Sequence, residues 1–258
     1  MHPEGLFGID WLRVMILPIA IFGIAFFVFY LRFDKVSTVR ALILLVLIAV
    51  VALLGAKLFS LHTRGWDIRP LSQELRGGLR YPGAALAMVL VGPLLKRWIL
   101  PTLPLTRFLD VLAITVAFSF ALVRLSCYLN GCCTGAQCDA AYCLSYSTGS
   151  QAWYVQFKAG VLPHADHASH PVLPLHFLFM GASFLVGLFL MWFDPRRSFD
   201  GQVALLYLVL HDGAKGLLES FREPYVFELQ LTSLLMSAAG LVVLLLVLWL
   251  RRKPAEAT

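Results

Sequence analysis

The chain has 258 residues, of which 59% are hydrophobic and only 14% are charged, with a formal net charge of +6. A water-soluble domain is typically about 45–50% apolar and about 25% charged, so this chain has too little polar surface to cover itself in water. Its Lys and Arg residues are scattered between apolar segments, which argues against a nucleic-acid-binding face. The composition predicts an all-α polytopic membrane protein.

Seven apolar segments are each long enough, at about 1.5 Å per residue, to cross a hydrocarbon core of about 30 Å. Lys96 and Arg97 interrupt the third segment, and the sixth has a polar second half. The first ten residues contain no Lys or Arg, so no cleavable signal peptide is expected. In chain order, the seven transmembrane helices are predicted at Trp11–Leu31, Ala41–Leu61, Leu79–Leu100, Phe108–Tyr128, Val172–Trp192, Gln202–Ser220 and Gln230–Leu250.

The Lys and Arg distribution predicts the orientation, because cytoplasmic loops are enriched in positive charge. The N-terminus has no Lys or Arg before Arg13, whereas the C-terminal tail has Arg251, Arg252 and Lys253. The N-terminus is therefore expected to be extracytoplasmic and the C-terminus cytoplasmic. This makes residues 1–258 a single transmembrane domain with an extracytoplasmic loop at 130–171 that contains cysteine and histidine.

Ionisable residues inside a predicted span are costly to bury and by default mark a functional site. In the sixth span and just beyond it, Asp212, Lys215, Glu219 and Arg222 follow one another at spacings of 3, 4 and 3. This spacing places them on one helical face. We expect Asp212 to pair with Lys215, and Glu219 to pair with Lys215 or Arg222. The face is either the wall of a polar cavity or a salt-bridge ladder that only holds the bundle together.

Arg124 lies about one turn inside the outer end of the fourth span, where it could act as a snorkelling anchor. It could instead join Lys215, Arg222 and Arg80 in a cluster of cations at headgroup depth. Guanidinium groups match phosphate oxygens, so such a cluster would bind an anionic phospholipid. Gly77–Gly78, near the start of the third span, could bring backbone N–H groups close to the same ligand.

All five cysteines fall within one stretch, Val123–Cys143, which reads VRLSCYLNGCCTGAQCDAAYC. A zinc site could draw on them and on the nearby His164, His167 and His170, but C-x-x-C is absent and no metal or cofactor is predicted. Cysteines tend to pair in an oxidising compartment, which favours two disulfides in the loop, with Cys132 and Cys133 using different partners. Cys127 is expected to be a buried thiol. Alternatively, Cys132 or Cys133 could act as a covalent acceptor.

Four patches of the sequence resemble the prolipoprotein diacylglyceryl transferase family. They are ELRGGLRYPGAALA, VRLSCYLNGCCTG, SHPVLPLHF and GQVALLYLVLHDGAKGLLESFREP. The resemblance implies a multi-pass enzyme of lipoprotein biosynthesis in the bacterial cytoplasmic (inner) membrane. Such an enzyme moves the diacylglyceryl group of phosphatidylglycerol to the thiol of a prolipoprotein cysteine and releases glycerol phosphate.

The same resemblance assigns roles to particular residues. Arg124 and Lys215 correspond to two family arginines that grip the lipid headgroup. The family's acid after Asn-Gly is replaced by Cys132 and its histidine by Pro82, while His-Pro is followed by Val172-Leu173-Pro174-Leu175-His176. The usual base is therefore missing, and His170 and His211 are candidates for its role. The predicted catalytic residues are Arg124, Lys215, Glu219, His170 and His211, and the predicted substrate-binding residues are Arg80, Asn130, Gly131, Gly77, Gly78 and Arg222.

Three functions stay open. The first is a transferase acting on phosphatidylglycerol or a related anionic lipid, with a prolipoprotein or another acceptor. The second is a lipid-binding or assembly protein of the same fold without enzymatic activity. The third, a membrane thiol oxidoreductase, is disfavoured by the absence of C-x-x-C.

Overall fold

A computed structural model describes residues 11–63, 81–162, 167–222 and 227–252. Within these ranges the regular structure is helical and contains no strand, only isolated antiparallel bridges. Short 3₁₀ turns lie at Arg32–Asp34 and Asp194–Arg196, and a π-helical turn lies at Leu208–Asp212. The helices are α1 (Trp11–Leu31), α2 (Thr38–Thr63), α3 (Tyr81–Ile99), α4 (Leu105–Asn130), α5 (Gln151–Lys158), α6 (Leu175–Phe193), α7 (Gln202–Tyr207), α8 (Gly213–Glu219) and α9 (Phe227–Arg252).

Within the described ranges, five helical segments are long and apolar enough to cross a membrane. Large apolar side chains point outward on these segments, as Leu17, Leu185 and Val242 show with 64–65% exposure. Such faces suit contact with lipid, and the chain is a multi-pass membrane protein. The five segments are Val14–Asp34, Thr38–Gly55, Leu105–Asn130, Leu175–Arg196 and Leu229–Arg251.

The third and sixth predicted spans are helical but are not among these five segments. Helix α3 carries Lys96 and Arg97 in its last turn. The sixth predicted span is divided by the π-helical turn and carries several ionisable residues. Seven spans and the orientation of the termini therefore remain predictions.

The chain forms two compact units, one of residues 24–108 and the other of residues 1–23 with 109–258. In the first of these units, Nε of the buried Arg107 lies 3.0 Å from each carboxylate oxygen of Asp34. The other unit contains every predicted site residue that the structure describes. The assignment of one domain to the whole chain stays a prediction.

Close contacts fix the helices around the site. The buried carboxylate of Asp110 on α4 accepts the backbone N–H groups of Gly201 (2.7 Å) and Ala204 (2.8 Å), which secures the start of α7. Helices α4 and α6 approach closely at Gly187, where an added Cβ would lie 3.0 Å from Phe118. Unpaired N–H groups at a helix start favour a carboxylate partner, so Asp110 anchors α7 to α4.

The long loop after α4 is folded. Leu144 and Val172 exchange two backbone hydrogen bonds, each of 3.0 Å, and a disulfide joins Cys138 to Cys143. Helix α5 begins at an N-cap, because the hydroxyl of Ser150 accepts the N–H of Trp153 at 3.2 Å. These contacts hold the loop over the C-terminal end of α4.

Candidate active site

Helix α4 ends in a Schellman motif. The N–H of Gly131 donates to the carbonyl of Tyr128 (3.1 Å), and that of Cys132 donates to the carbonyl of Cys127 (3.0 Å). Gly131 has a φ of +59°, and an added Cβ would lie 2.7 Å from the Tyr146 ring. Glycine is therefore required here.

Asn130 joins this turn to α1. Its side-chain oxygen accepts the backbone N–H of Trp11 at 2.9 Å, at the first residue of α1. The bond satisfies one of the N–H groups that a helix start leaves unpaired. Asn130, predicted to bind substrate, thus uses one of its two polar groups to hold α1.

The turn gathers three thiols. The sulfur atoms of Cys127, Cys132 and Cys133 lie within 4.8 Å of one another. Hydrogen bonding with Cys127 and Cys132 lowers the pKa of Cys133; Arg124 and Arg222 act in the same direction, while burial opposes them. Hydrogen bonding with Cys127 and Cys133 raises the pKa of Cys132, and burial acts in the same direction. The surroundings therefore favour the thiolate form at Cys133 and disfavour it at Cys132.

The two predicted disulfides are not both formed. The structure pairs Cys138 with Cys143 and leaves Cys127, Cys132 and Cys133 as free thiols, with Cys127 buried as expected. The reason is local, because the Schellman turn folds the vicinal pair back towards Cys127 rather than along the loop.

Arg124 is enclosed by aromatic rings. Its side chain lies on α4 and is only 8% exposed, and its guanidinium carbon lies 4.4 Å from the ring centroids of both Phe120 and Phe179. Within the described part of the chain, its Nε is buried and has no hydrogen-bond partner. Stacking fixes the plane of the guanidinium. A buried donor without a partner costs about 1–3 kcal/mol, and an acceptor placed there would recover this.

Glu219 and Arg222 form the predicted ion pair. Arg222 Nη1 lies 3.1 and 3.3 Å from the two carboxylate oxygens of Glu219, and Glu219 is 1% exposed. Arg222 Nη2 donates to the sulfur of Cys133 at 3.7 Å. Glu219 therefore holds Arg222 against the thiol cluster.

His211 lies on the π turn, a kind of helix defect that is common at functional sites. It stacks on Tyr207 (4.6 Å between ring centroids) and meets the edge of Phe120 (4.8 Å), so it shares Phe120 with Arg124. Its Nδ1 lies 3.3 Å from Asp212. Its buried Nε2 has no partner among the described residues. His211 is therefore next to the predicted headgroup cation.

Lys215 does not form the predicted ladder. It is half-buried on α8, and within the described ranges the ion pairs of this face are His211–Asp212 and Glu219–Arg222. The predicted Glu219–Arg222 pair is therefore formed, whereas the predicted pair of Asp212 with Lys215 is not found among the described residues.

Two groups of predicted residues are separate from this cluster. The side chain of His170 is exposed, and its backbone N–H donates to Gln156 at 2.7 Å. No contact of its ring with Arg124 or the free thiols occurs among the described residues. Arg80, Gly77 and Gly78 lie outside the residues that the structure describes.

The structure adds His176 and Tyr146, which sequence reasoning did not assign to the site. The Tyr146 hydroxyl lies 3.3 Å from Nε2 of the fully buried His176. His176 Nδ1 has no partner within the described ranges, and Phe179, three residues later on the same face, stacks on Arg124. Burial raises the pKa of Tyr146, which keeps its hydroxyl protonated. The available signal was an ionisable residue in the first turn of an apolar helix.

A cavity of about 420 Å³ opens at the C-terminal end of α4. Tyr128 and Tyr146, which also approach His176, contribute to its wall. Gly131, Ser145, Ser147 and Ser150 add polar and backbone groups. The cavity is therefore lined in part by Tyr146, the tyrosine whose hydroxyl contacts His176.

Comparison with known proteins gives two matches. The profile of a family described as prolipoprotein diacylglyceryl transferase matches residues 4–249. A relative from Symbiobacterium thermophilum, a phosphatidylglycerol–prolipoprotein diacylglyceryl transferase, is 25% identical over 218 residues, which cover 80% of this chain and 75% of the relative.

Proposed function

Because the chain belongs to the prolipoprotein diacylglyceryl transferase family, we propose that it transfers a diacylglyceryl group from phosphatidylglycerol, or a related anionic phospholipid, to an acceptor. The preferred acceptor is a thiol, such as a prolipoprotein cysteine. In this proposal the protein crosses the bacterial inner membrane seven times, with the N-terminus outside and the C-terminus in the cytoplasm.

The main support for this proposal is the environment of Arg124. A buried cation without a polar partner is unfavourable, and Arg124 Nε has none among the described residues. A phosphate supplies both the missing acceptor and the opposite charge. The two flanking rings, each 4.4 Å away, keep the guanidinium in one plane, which suits recognition of a tetrahedral phosphate by directed N–H bonds.

The other cations extend this headgroup site. Arg222 is held by Glu219 and would contact the same phosphate or the departing glycerol phosphate. Lys215, which is half-buried on α8, would supply a third positive charge. Arg80 with Gly77–Gly78 would complete the headgroup site, and Asn130-Gly131 would position its outer wall.

The reaction is a displacement at carbon. The acceptor thiolate attacks the glycerol carbon of the diacylglyceryl group; a carbon–sulfur bond forms and the carbon–oxygen bond to the phosphate breaks. The electron pair leaves with glycerol phosphate, whose negative charge Arg124 and Arg222 stabilise. A base takes the thiol proton. We assign this role to His176, oriented by Tyr146 at 3.3 Å, and keep His211 as the alternative.

The test is glycerol phosphate release from phosphatidylglycerol nanodiscs, measured with and without a lipobox peptide. We expect Arg124→Ala to lower turnover by about 10²–10³-fold, the usual cost of removing one charge-stabilising donor. Arg124→Lys keeps the charge but loses the planar stack, so it should restore only part of the activity.

Arg196 offers a matched control. It stacks on Trp192 at the same 4.4 Å, but it is exposed and lies after α6. Arg196→Ala should leave turnover unchanged. Release that requires the peptide and Arg124 supports the transferase, and release without the peptide would assign a different acceptor, including Cys132 or Cys133. Bound lipid without release would overturn transfer in favour of a lipid-binding protein.

A further inference from the structure

Three thiols converge beside the proposed headgroup site, and lipid transfer does not require them all. Cys127, Cys132 and Cys133 place their sulfur atoms within 4.8 Å of one another. Thiolates bind zinc at about 2.3 Å, so three sulfurs around one ion stand about 4 Å apart. The cluster therefore needs to contract by no more than about 1 Å to enclose an ion.

From this geometry we propose that Cys127, Cys132 and Cys133 form a trithiolate site for a thiophilic closed-shell metal ion, zinc(II) or copper(I). Thiolate ligands select these ions over the hard cations that prefer oxygen. This site differs from the zinc site that the sequence suggested, because its ligands include none of the loop histidines. His167 and His170 have exposed side chains.

The backbone builds the site before any ion binds. The Schellman bond between Cys132 N–H and the Cys127 carbonyl brings residues 127 and 132 together, since this motif places the side chains at its two ends in contact. Cys133 then adopts a φ of +56°, unusual for a side-chain-bearing residue. Strain of this kind commonly marks a functional position.

The surrounding charges fit a cationic centre with three thiolates. Zinc(II) with three thiolates carries one net negative charge. Arg222 contacts Cys133 but is paired with Glu219, so this pair adds no net charge. Arg124 then remains as the cation whose charge also acts on Cys133, and it offsets the single negative charge of a zinc(II) centre. Copper(I) would leave one further negative charge, so charge balance favours zinc(II).

An ion in this position would also constrain the headgroup site. It would fix Cys133 and, through the 3.7 Å contact, Arg222. It would also withdraw Cys132 and Cys133 from any role as lipid acceptor. Metal binding by the three thiols can be measured whether or not the protein has transferase activity.

The test uses the full chain in lipid nanodiscs, titrated with zinc(II) and, anaerobically, with copper(I), each against a chromophoric chelator. We expect one ion per chain and at least a 100-fold loss of affinity in Cys127→Ser, Cys132→Ser and Cys133→Ser. The double variants Cys138→Ser/Cys143→Ser and His167→Ala/His170→Ala should keep the ion.

A second measurement needs no variant. Alkylation of the wild-type protein, followed by mass spectrometry, should show that the ion protects Cys127, Cys132 and Cys133 together. The proposal is overturned if neither ion binds, or if the triple serine variant binds as tightly as the wild type. A disulfide between any two of the three cysteines in protein isolated without reductant would also overturn it.

Discussion

At the scale of single residues, two arginines of similar geometry differ in what surrounds them. Arg124 and Arg196 each lie 4.4 Å from an aromatic centroid. Arg196 is exposed and donates to the carbonyl of Trp192 at 2.6 Å, whereas Arg124 is buried with an unpartnered Nε in the described part of the chain. Stacking alone is structural; stacking with a buried, unsatisfied donor prepares a site for an anion.

His176 provides the first residue-scale prediction. His176→Gln should lower kcat by about 10²–10⁴-fold, the usual contribution of a general base, with little change in lipid affinity. Tyr146→Phe should cause a smaller loss, because it removes only the 3.3 Å contact that orients the ring. Turnover and lipid binding are measured in parallel in nanodiscs. His167→Gln, at an exposed loop position, is the control; normal turnover in His176→Gln would transfer the role to His211.

Gly131 provides the second prediction at the scale of single residues. Gly131→Ala should destabilise the protein by more than the roughly 1 kcal/mol cost of a left-handed backbone, because the new Cβ would meet Tyr146 at 2.7 Å. Gly160 has a φ of +72°, but a Cβ added there would meet no atom within 4 Å. A Cβ added at Gly181, which lies within α6, would also meet no atom within 4 Å. Thermal unfolding in micelles should show the largest loss of stability for Gly131→Ala, a smaller loss for Gly160→Ala and the smallest for Gly181→Ala. Equal losses at Gly131 and Gly160 would exclude a contribution from the clash.

At the scale of elements, Asp110 decides where α7 begins. Asp110→Ala would leave the N–H groups of Gly201 and Ala204 without this acceptor, at a cost of about 3 kcal/mol in the free energy of unfolding. Asp110→Asn retains one oxygen and should lose less. Denaturant-induced unfolding in micelles measures the difference.

Asp200 is the matched control for that experiment. Its carboxylate is 38% exposed and pairs with Arg197 at 3.1 Å, and such surface pairs contribute only about 0–1 kcal/mol. Asp200→Ala should therefore be nearly neutral. A loss as large as that of Asp110→Ala would show that burial is not what makes Asp110 important.

At the scale of the whole molecule, the topology can be tested by reporter fusions. If the N-terminus is outside and seven helices cross the membrane, alkaline phosphatase fused after Val161 should be active. The same reporter fused after Arg197 should be inactive, and a C-terminal fluorescent protein should fluoresce. Activity after both Val161 and Arg197 would contradict a membrane crossing by α6, one of the five segments with the required length and hydropathy.

Helix positions were predictable because they depend on local hydropathy. The predicted first span, Trp11–Leu31, coincides with α1, and the predicted Phe108–Tyr128 falls within α4. The Glu219–Arg222 pair was also predictable, because a spacing of three residues brings side chains together on any helix. The same rule failed for Lys215, because a shared helical face brings side chains near one another but does not fix which of them form an ion pair.

The sequence by itself determined the membrane class and the helix positions, because each depends on residues close together in the chain. Only the tertiary structure decided that Phe120 and Phe179 enclose Arg124, that Tyr146 meets His176, and that Arg222 reaches Cys133. Apart from Phe120, which lies four residues before Arg124 on α4, the residues in these contacts are far apart in sequence. Their formation depends on how helices and loop pack, which neither periodicity nor hydropathy encodes.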